Sequence, residues 1–457
     1  MPPERLSKYD AIFYFTDNRR VAMQASVGML VDGPIDFGRY FDRVSPRIER
    51  MPKLRMALKP TLLNFRLPAW VPAPQFNLSS HVIEHTLPSP GSDDQLSALF
   101  KELMHKRLPL DEPLWCLHII NGLENNRAAL LLRTHHCIAD AEGILEMFNV
   151  FLEASPAAVA TAPRISKAGL AREVHAARPI HGLRALLSRD GRKRLATLAQ
   201  YARTRGPRFP FTRPTTGQMD IAWQQLPIST LQTIGAALDA TASDVVLAAL
   251  GTAMDAYAAR HQVAVAGKHL LLQVPANVRM PDLYGKLGNE LAMLPGVVPL
   301  GMTDPVERLR RVAEFNRTLK ALNMAPLIHG LMGTAFGAAT PPGQALMCRT
   351  MASQPYLNVA RVVGLPPQEH ALMSSVVMPP KNFVIDGHPI TAFINLIACQ
   401  FNMGFACSPV AHNGKITLTM SVDANNLGDA APLLNDVAAA IEQLRGLVQN
   451  NDVATPK

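Results

Sequence analysis

Two short apolar runs, residues 116–121 (Cys-Leu-His-Ile-Ile-Asn) and 127–134 (Arg-Ala-Ala-Leu-Leu-Leu-Arg-Thr), flank the turn-like stretch Gly122-Leu-Glu-Asn-Asn126. This is the pattern of a hairpin entering a buried sheet. Immediately after it, Ile144, Leu145, Phe148, Phe151 and Leu152 recur at helical spacing, so a helix follows the second strand. A chain that buries a hairpin and then lays a helix beside it is mixed α/β. At the joint between strand and helix stands Arg133-Thr-His-His-Cys-Ile-Ala-Asp-Ala-Glu-Gly143, which holds His135, His136 and Asp140.

Histidine titrates near physiological pH, which suits it to take a proton from an alcohol or amine. A strand end is a rigid place from which to aim such a side chain into a cleft. Neighbours on an extended chain point to opposite faces, so His135 and His136 do not serve one centre together. That argues against shared metal ligation and for one working imidazole. The competing structural readings are a buried, hydrogen-bonded histidine at either position and a helix N-cap at Asp140. No nucleophilic serine motif, metal cluster or phosphate loop competes elsewhere in the sequence.

At 457 residues, with 48 % hydrophobic and 18 % charged content, the chain has enough material for two sizeable cores. Its five cysteines (Cys116, Cys137, Cys348, Cys399, Cys407) lie scattered in apolar surroundings without metal spacing. They read as reduced thiols of a cytoplasmic protein. Cys137 adjoins His136, but nothing nearby would stabilise its thiolate, so it reads as a small core residue. The first residues lead into no sustained apolar run and are not expected to be a signal peptide. The longest uncharged stretch, Pro389 to Val410, carries Asn395, Gln400, Asn402 and Ser408; it reads as two neighbouring strands rather than a membrane span.

Charge is unevenly placed. Residues 164–213 carry thirteen Lys or Arg against Glu173 and Asp190, a balance of +11 in a chain of +9. An Ala/Pro-rich stretch from Ala154 to Pro163 precedes this segment, and Pro207, Pro210 and Pro214 follow it. Within it, Leu183, Leu186 and Leu187, then Leu195, Leu198 and Ala199, give two amphipathic helical patterns around Asp190-Gly191. Such a segment either lies on an anionic membrane or docks on its own protein as a crossover linker. Nucleic acid is a weaker third partner, since no recognition motif accompanies the charge. The chain is thus divided into residues 1–155, a basic linker 156–214, and residues 215–457. Helical patterns are expected at 229–261, 303–324 and about 430–448, with strand-like runs at 269–275 and 391–407.

The motif His-His-x-x-x-Asp resembles the hallmark of the bacterial wax ester synthase/acyl-CoA:diacylglycerol acyltransferases. The likeness extends along nearly the whole chain. Leu6-Ser-Lys-Tyr-Asp-Ala11 with Phe13, Pro52-Lys-Leu-Arg55, Phe76-Asn-Leu78 with His81-Val82, and Pro113-Leu114-Trp115 resemble its N-terminal elements. Ser243-Asp-Val-Val-Leu-Ala248, Val278-Arg279 and Leu287-Gly-Asn289 resemble later ones. Three positions depart from the family: Ala141 stands for a glycine, Ser243 for an asparagine, and Asn358-Val-Ala-Arg361 where Asn-Val-Pro-Gly-Pro is usual. Alanine tolerates positive φ poorly, so Ala141 is expected to alter the turn.

The resemblance implies two chloramphenicol-acetyltransferase-like halves with the histidine motif in a channel between them. It implies that His136 is the general base, that Asp140 is structural with Arg279 as its partner, and that Asn289 is a polar contact near the reacting groups. Pro113, Leu114 and Trp115 would shape the substrate channel. The co-substrate would be acyl-CoA, with no cofactor or metal, and the acceptor a long-chain alcohol or diacylglycerol. The enzyme would be cytoplasmic, with peripheral contact to the inner membrane or lipid inclusions. Two other readings stay open: a stand-alone condensation-type enzyme using another alcohol or amine and a carrier-bound donor, and a non-catalytic lipid-binding relative.

Overall fold

The computed structural model describes residues 3–154, 189–379 and 381–451. Most of the Ala/Pro-rich stretch and the first amphipathic pattern (Leu183, Leu186, Leu187) lie outside them. In the first half the strands are β1 (Gln24–Val31), β2 (Met56–Lys59), β3 (Ala69–Pro72), β4 (Val82–Thr86), β5 (Trp115–Leu123), β6 (Arg127–His135) and β7 (Glu153–Ala154). After residue 214 come β8 (Met219–Pro227), β9 (His269–Asn277), β10 (Leu291–Pro299), β11 (Ala371–Met373), β12 (Val376–Val377), β13 (Phe383–Ile385), β14 (His388–Ile397), β15 (Phe405–His412) and β16 (Lys415–Asp423).

The expected hairpin is β5 and β6, antiparallel and joined by a turn in which Asn125 and Asn126 adopt positive φ. Both strands are buried along nearly their whole length, which is why they read as continuous apolar runs rather than as alternation. The helix Ala141–Phe151 follows directly and buries Ile144, Met147, Phe148 and Phe151.

Two sheets organise the molecule. The first runs β4-β5-β6-β1-β14-β13-β7 and the second β10-β9-β11-β15-β16-β8, with β12 alongside β15. Each has its own apolar core: Trp115, Leu117, Leu130 and Phe148 in the first, and Val246, Leu250, Leu272, Phe405 and Leu418 in the second. The halves are not consecutive in sequence. Strands β13 and β14, from beyond residue 215, complete the first sheet: β14 pairs with β1 from Ala25↔Ile397 to Val31↔Ile390, and β13 pairs with β7. A boundary drawn at 214 therefore assigns residues 383–397 to the wrong sheet. The uncharged stretch from Pro389 to Val410 does form two strands, but they are divided between the two sheets and meet through Asn395 Nδ2, which donates to Ser408 Oγ at 2.7 Å.

The second amphipathic pattern of the basic segment forms the helix Arg189–Arg203. It lies on the second half: Arg194 Nε donates to the Leu322 carbonyl at 2.7 Å, and Tyr201 donates to Glu369 at 3.1 Å. Among the described residues no single helix is long and apolar enough to cross a membrane. The helices Ile228–Ala237 and Ala242–Arg260 meet that test only as a pair bent by 92°, and their apolar residues, Leu231, Val246 and Met254 among them, fill the second core.

Candidate active site

At its C-terminal end β6 is pinned by main-chain bonds on both sides. The amide of His135 donates to the Leu114 carbonyl at 2.9 Å and that of His136 to the Met23 carbonyl at 2.8 Å. The two imidazoles then diverge, as an extended backbone requires. His135 is buried, its Nδ1 accepts the Cys137 amide at 3.1 Å, and its Nε2 lies 3.9 Å from the Asp17 carboxylate. Burial pushes its pKa down to about 3. It is the buried core histidine foreseen as one alternative.

His136 turns the other way. Its ring stacks on Phe13 with centroids 4.2 Å apart and planes within 4°. Its Nδ1 lies 2.8 Å from Asn289 Oδ1. The Asn289 amide has its orientation fixed by two acceptors, since Nδ2 donates to Asp10 Oδ1 at 2.8 Å and to the His136 carbonyl at 2.7 Å. Oδ1 must therefore face the imidazole, so Nδ1 carries the proton and Nε2 keeps the lone pair. Desolvation lowers the His136 pKa, opposed by Asp140, Asn289 and Asp10. His136 is partly exposed as a residue, and with Nδ1 engaged by Asn289, Nε2 is the nitrogen left for a substrate.

Asp140 binds the motif to the second half. One oxygen accepts from the Gly143 amide at 3.0 Å as a helix N-cap and from Arg279 at 2.8 Å; the other accepts from the Glu290 amide at 2.8 Å. Cap and ion pair are thus both present. Arg279 is buried, and it also donates to the carbonyls of Leu283, Lys286 and Gly288. Gly288 sits at φ +114°, a conformation that favours glycine. This lets its amide reach the Ile138 carbonyl at 2.7 Å while its own carbonyl accepts the Asp140 amide.

The structure places each expected residue. Arg279 is the partner of Asp140, and Asn289 is a polar contact to both His136 and Asp10. Leu114 and Trp115 do not line a channel. Both are fully buried, with the Trp115 indole donating to the Leu54 carbonyl at 2.7 Å and packing on His81 and Phe151; the tripeptide holds the strand that carries the histidines. Only Pro113 borders a cavity, of about 280 Å³, together with Phe76, His81 and Glu112. Ala141 enters the helix as its first residue without positive φ, so the turn accommodates it. Asn358 and Arg361 lie on the exposed side of the helix Gln354–Val363. Cys137 is buried and its thiol is raised well above the ordinary value by that burial, which removes it as a nucleophile.

The missed participant is Asp10. It starts the helix Asp10–Thr16, accepts from Ser7 Oγ at 2.7 Å, and holds both the amide and the side chain of Asn289. The signal lay in Leu6-Ser-Lys-Tyr-Asp-Ala11, but only the fold brings it to residue 289.

The two sheets thus bring one oriented imidazole, stacked on Phe13 and held by Asn289, to the place where elements of both halves meet. The family model for the wax ester synthase/diacylglycerol acyltransferase catalytic domain matches residues 6–246, and that for the C-terminal domain of the same family matches residues 287–445. The chain belongs to this family of acyltransferases. It is 25 % identical to a putative diacylglycerol O-acyltransferase of Mycobacterium tuberculosis, covering 98 % of this chain and 91 % of the relative. Among solved structures, the wax ester synthase/diacylglycerol acyltransferase of Marinobacter aquaeolei VT8 superposes with a TM-score of 0.65 at 16 % identity, over 97 % of this chain and all of that one. The starter condensation domain of rhizomide synthetase, solved with C8-CoA and Leu-SNAC, gives 0.62 at 13 % identity over 98 % and 94 %.

Proposed function

We propose that this enzyme transfers a fatty acyl group from acyl-CoA to the hydroxyl of a long-chain alcohol or a diacylglycerol, with His136 as general base. The reading rests above all on the Asn289-fixed tautomer, which leaves His136 Nε2 unprotonated. The acceptor hydroxyl gives its proton to Nε2 while its oxygen attacks the thioester carbonyl. The carbon–sulfur bond breaks, and the imidazolium returns the proton to the departing thiolate. The Phe13 face and the Asn289 contact hold the ring through both steps.

The relatives' names support the acceptor class, and a structural neighbour solved with C8-CoA supports the donor class. A cavity of about 280 Å³, lined mostly by apolar residues (Leu198, Met293, Leu294, Ile328 and Met332) together with Tyr201, Gln273 and Glu369, is compatible with an acyl chain. Met332 Sδ lies 4.0 Å from the Tyr9 hydroxyl, and the Tyr9 ring is 6.4 Å from that of Phe13. The test is thiol release from palmitoyl-CoA with hexadecanol, with diacylglycerol, with a short alcohol, and with none. Release that requires a lipid alcohol and yields the ester supports the reading. Release equal in all four arms, or with the short alcohol alone, rejects it.

A further inference from the structure

Between β2 and β3 the chain makes a tight, ordered loop that carries its apolar side chains outward. Leu62 is 82 % exposed, Leu63 71 % and Phe65 67 %. The loop is closed on itself: Thr61 Oγ1 donates to the Arg66 carbonyl at 2.8 Å and accepts the Arg66 amide at 3.0 Å, and the Phe65 amide donates to the Leu62 carbonyl. Its base is anchored by the paired strands and by residues 4–6, with the Trp70 amide on the Glu4 carbonyl and Arg5 on the Leu67 carbonyl. Leu63 sits at φ +49° and Asn64 at φ +56°. A leucine kept in a left-handed conformation while almost wholly in water contributes nothing to the core.

The surroundings say what this tip meets. From Arg50 to Ile83 the chain carries five Lys or Arg and no Asp or Glu. Lys53 and Arg55 pair with Glu4 and Glu49, while Lys59 and Arg66 stand exposed on either side of the apolar tip. The helix Pro341–Met351 packs beside the loop and adds Leu346, 69 % exposed, and the exposed Arg349. Projecting apolar side chains ringed by cations match a phospholipid surface with anionic headgroups, where the tip enters the acyl boundary and the cations stay among the phosphates. The same helix packs on Asp10–Thr16, which carries Asp10 and Phe13, and Gln344 donates to the Lys8 carbonyl at 2.6 Å.

We propose that Leu62, Leu63 and Phe65, with Leu346, Lys59 and Arg66, form a docking surface for an anionic phospholipid membrane, seated one helix away from the catalytic imidazole. The inference is independent of which acceptor is acylated, because docking is measured without substrate.

The experiment is cosedimentation of the full chain with phosphatidylcholine–phosphatidylglycerol vesicles across a salt series, together with fluorescence of Phe65→Trp in vesicles of brominated lipids. Wild type is expected to bind, less so as salt rises, and Trp at position 65 to be quenched by brominated acyl chains. Leu62→Gln/Leu63→Asn/Phe65→Gln should bind about 100-fold more weakly and keep its turnover on a dispersed short-chain acceptor. Lys59→Gln/Arg66→Gln should lose binding chiefly at low salt. Binding unchanged in the triple variant, an unquenched tryptophan, or binding removed only by Arg192→Gln/Lys193→Gln/Arg194→Gln would each overturn the proposal. So would vesicle binding absent from wild type while the triple variant abolishes a dimer seen by light scattering, since the patch would then join two copies of the chain.

Discussion

Asp10 and His136, 126 positions apart in the sequence, are joined through a single amide, that of Asn289. Its Nδ2 donates to Asp10 Oδ1 at 2.8 Å and its Oδ1 faces His136 Nδ1 at 2.8 Å. Asparagine passes no proton along this line, so Asp10 positions rather than titrates. Asp10→Ala is expected to lower kcat about 10- to 100-fold, within the range for displaced catalytic groups, with KM little changed. Asn289→Ala should do the same. A rise in KM with kcat intact would mean that these residues bind substrate directly.

The Asp140–Arg279 pair is buried, with side chains 7 % and 2 % exposed. Removing one partner of such a pair costs about 3–5 kcal/mol. Asp140→Asn is therefore expected to lower the melting temperature and to reduce activity while the pH profile keeps both limbs. Loss of one limb at unchanged melting temperature would show that Asp140 is itself the acid or base.

Acid stability follows from three buried histidines. Burial lowers His118 and His135 to about 3 and His370 to about 4. Below the unfolded value of 6.5 the unfolded chain binds protons that the native one does not, so stability falls as pH drops from 6.5 toward these values. Each histidine adds a slope of about 1.4 kcal/mol per pH unit in that window. His118→Leu should flatten the loss of melting temperature between pH 6.5 and 4. An unchanged slope contradicts the assignment. For His136 the lowered pKa means the basic form persists below the ordinary histidine range, so the acidic limb of kcat/KM should fall at a pH under 6.5.

Trp115 separates a core role from a channel role. Trp115→Phe removes the bond to the Leu54 carbonyl and leaves that buried acceptor unpaired, at a cost of about 1–3 kcal/mol. The product chain-length profile should not change. A shifted profile at constant melting temperature would restore Trp115 to the substrate channel.

What the sequence made legible follows physical range. The hairpin, the helix after it and the divergence of the two histidines rest on spacing within about thirty residues, and all three are present. The exchange of β13 and β14 into the first sheet was hidden because a strand's apolar pattern does not state its partner. The helices Met324–Ala338 and Pro341–Met351 gave little periodic signal, since each is largely surface with only two or three buried residues. Trp115 was misread because an apolar motif near a site looks the same whether it lines the cavity or supports the strand beneath it. Asp10 was invisible as a participant because its partner lies 279 residues away.

The most direct test of the account is the turnover of His136→Ala on palmitoyl-CoA with the lipid acceptor, at the pH of maximal wild-type activity and with folding verified by circular dichroism. The account predicts a loss of about 10²- to 10⁴-fold with secondary structure and melting temperature close to wild type. A folded His136→Ala enzyme that retains wild-type turnover would contradict it.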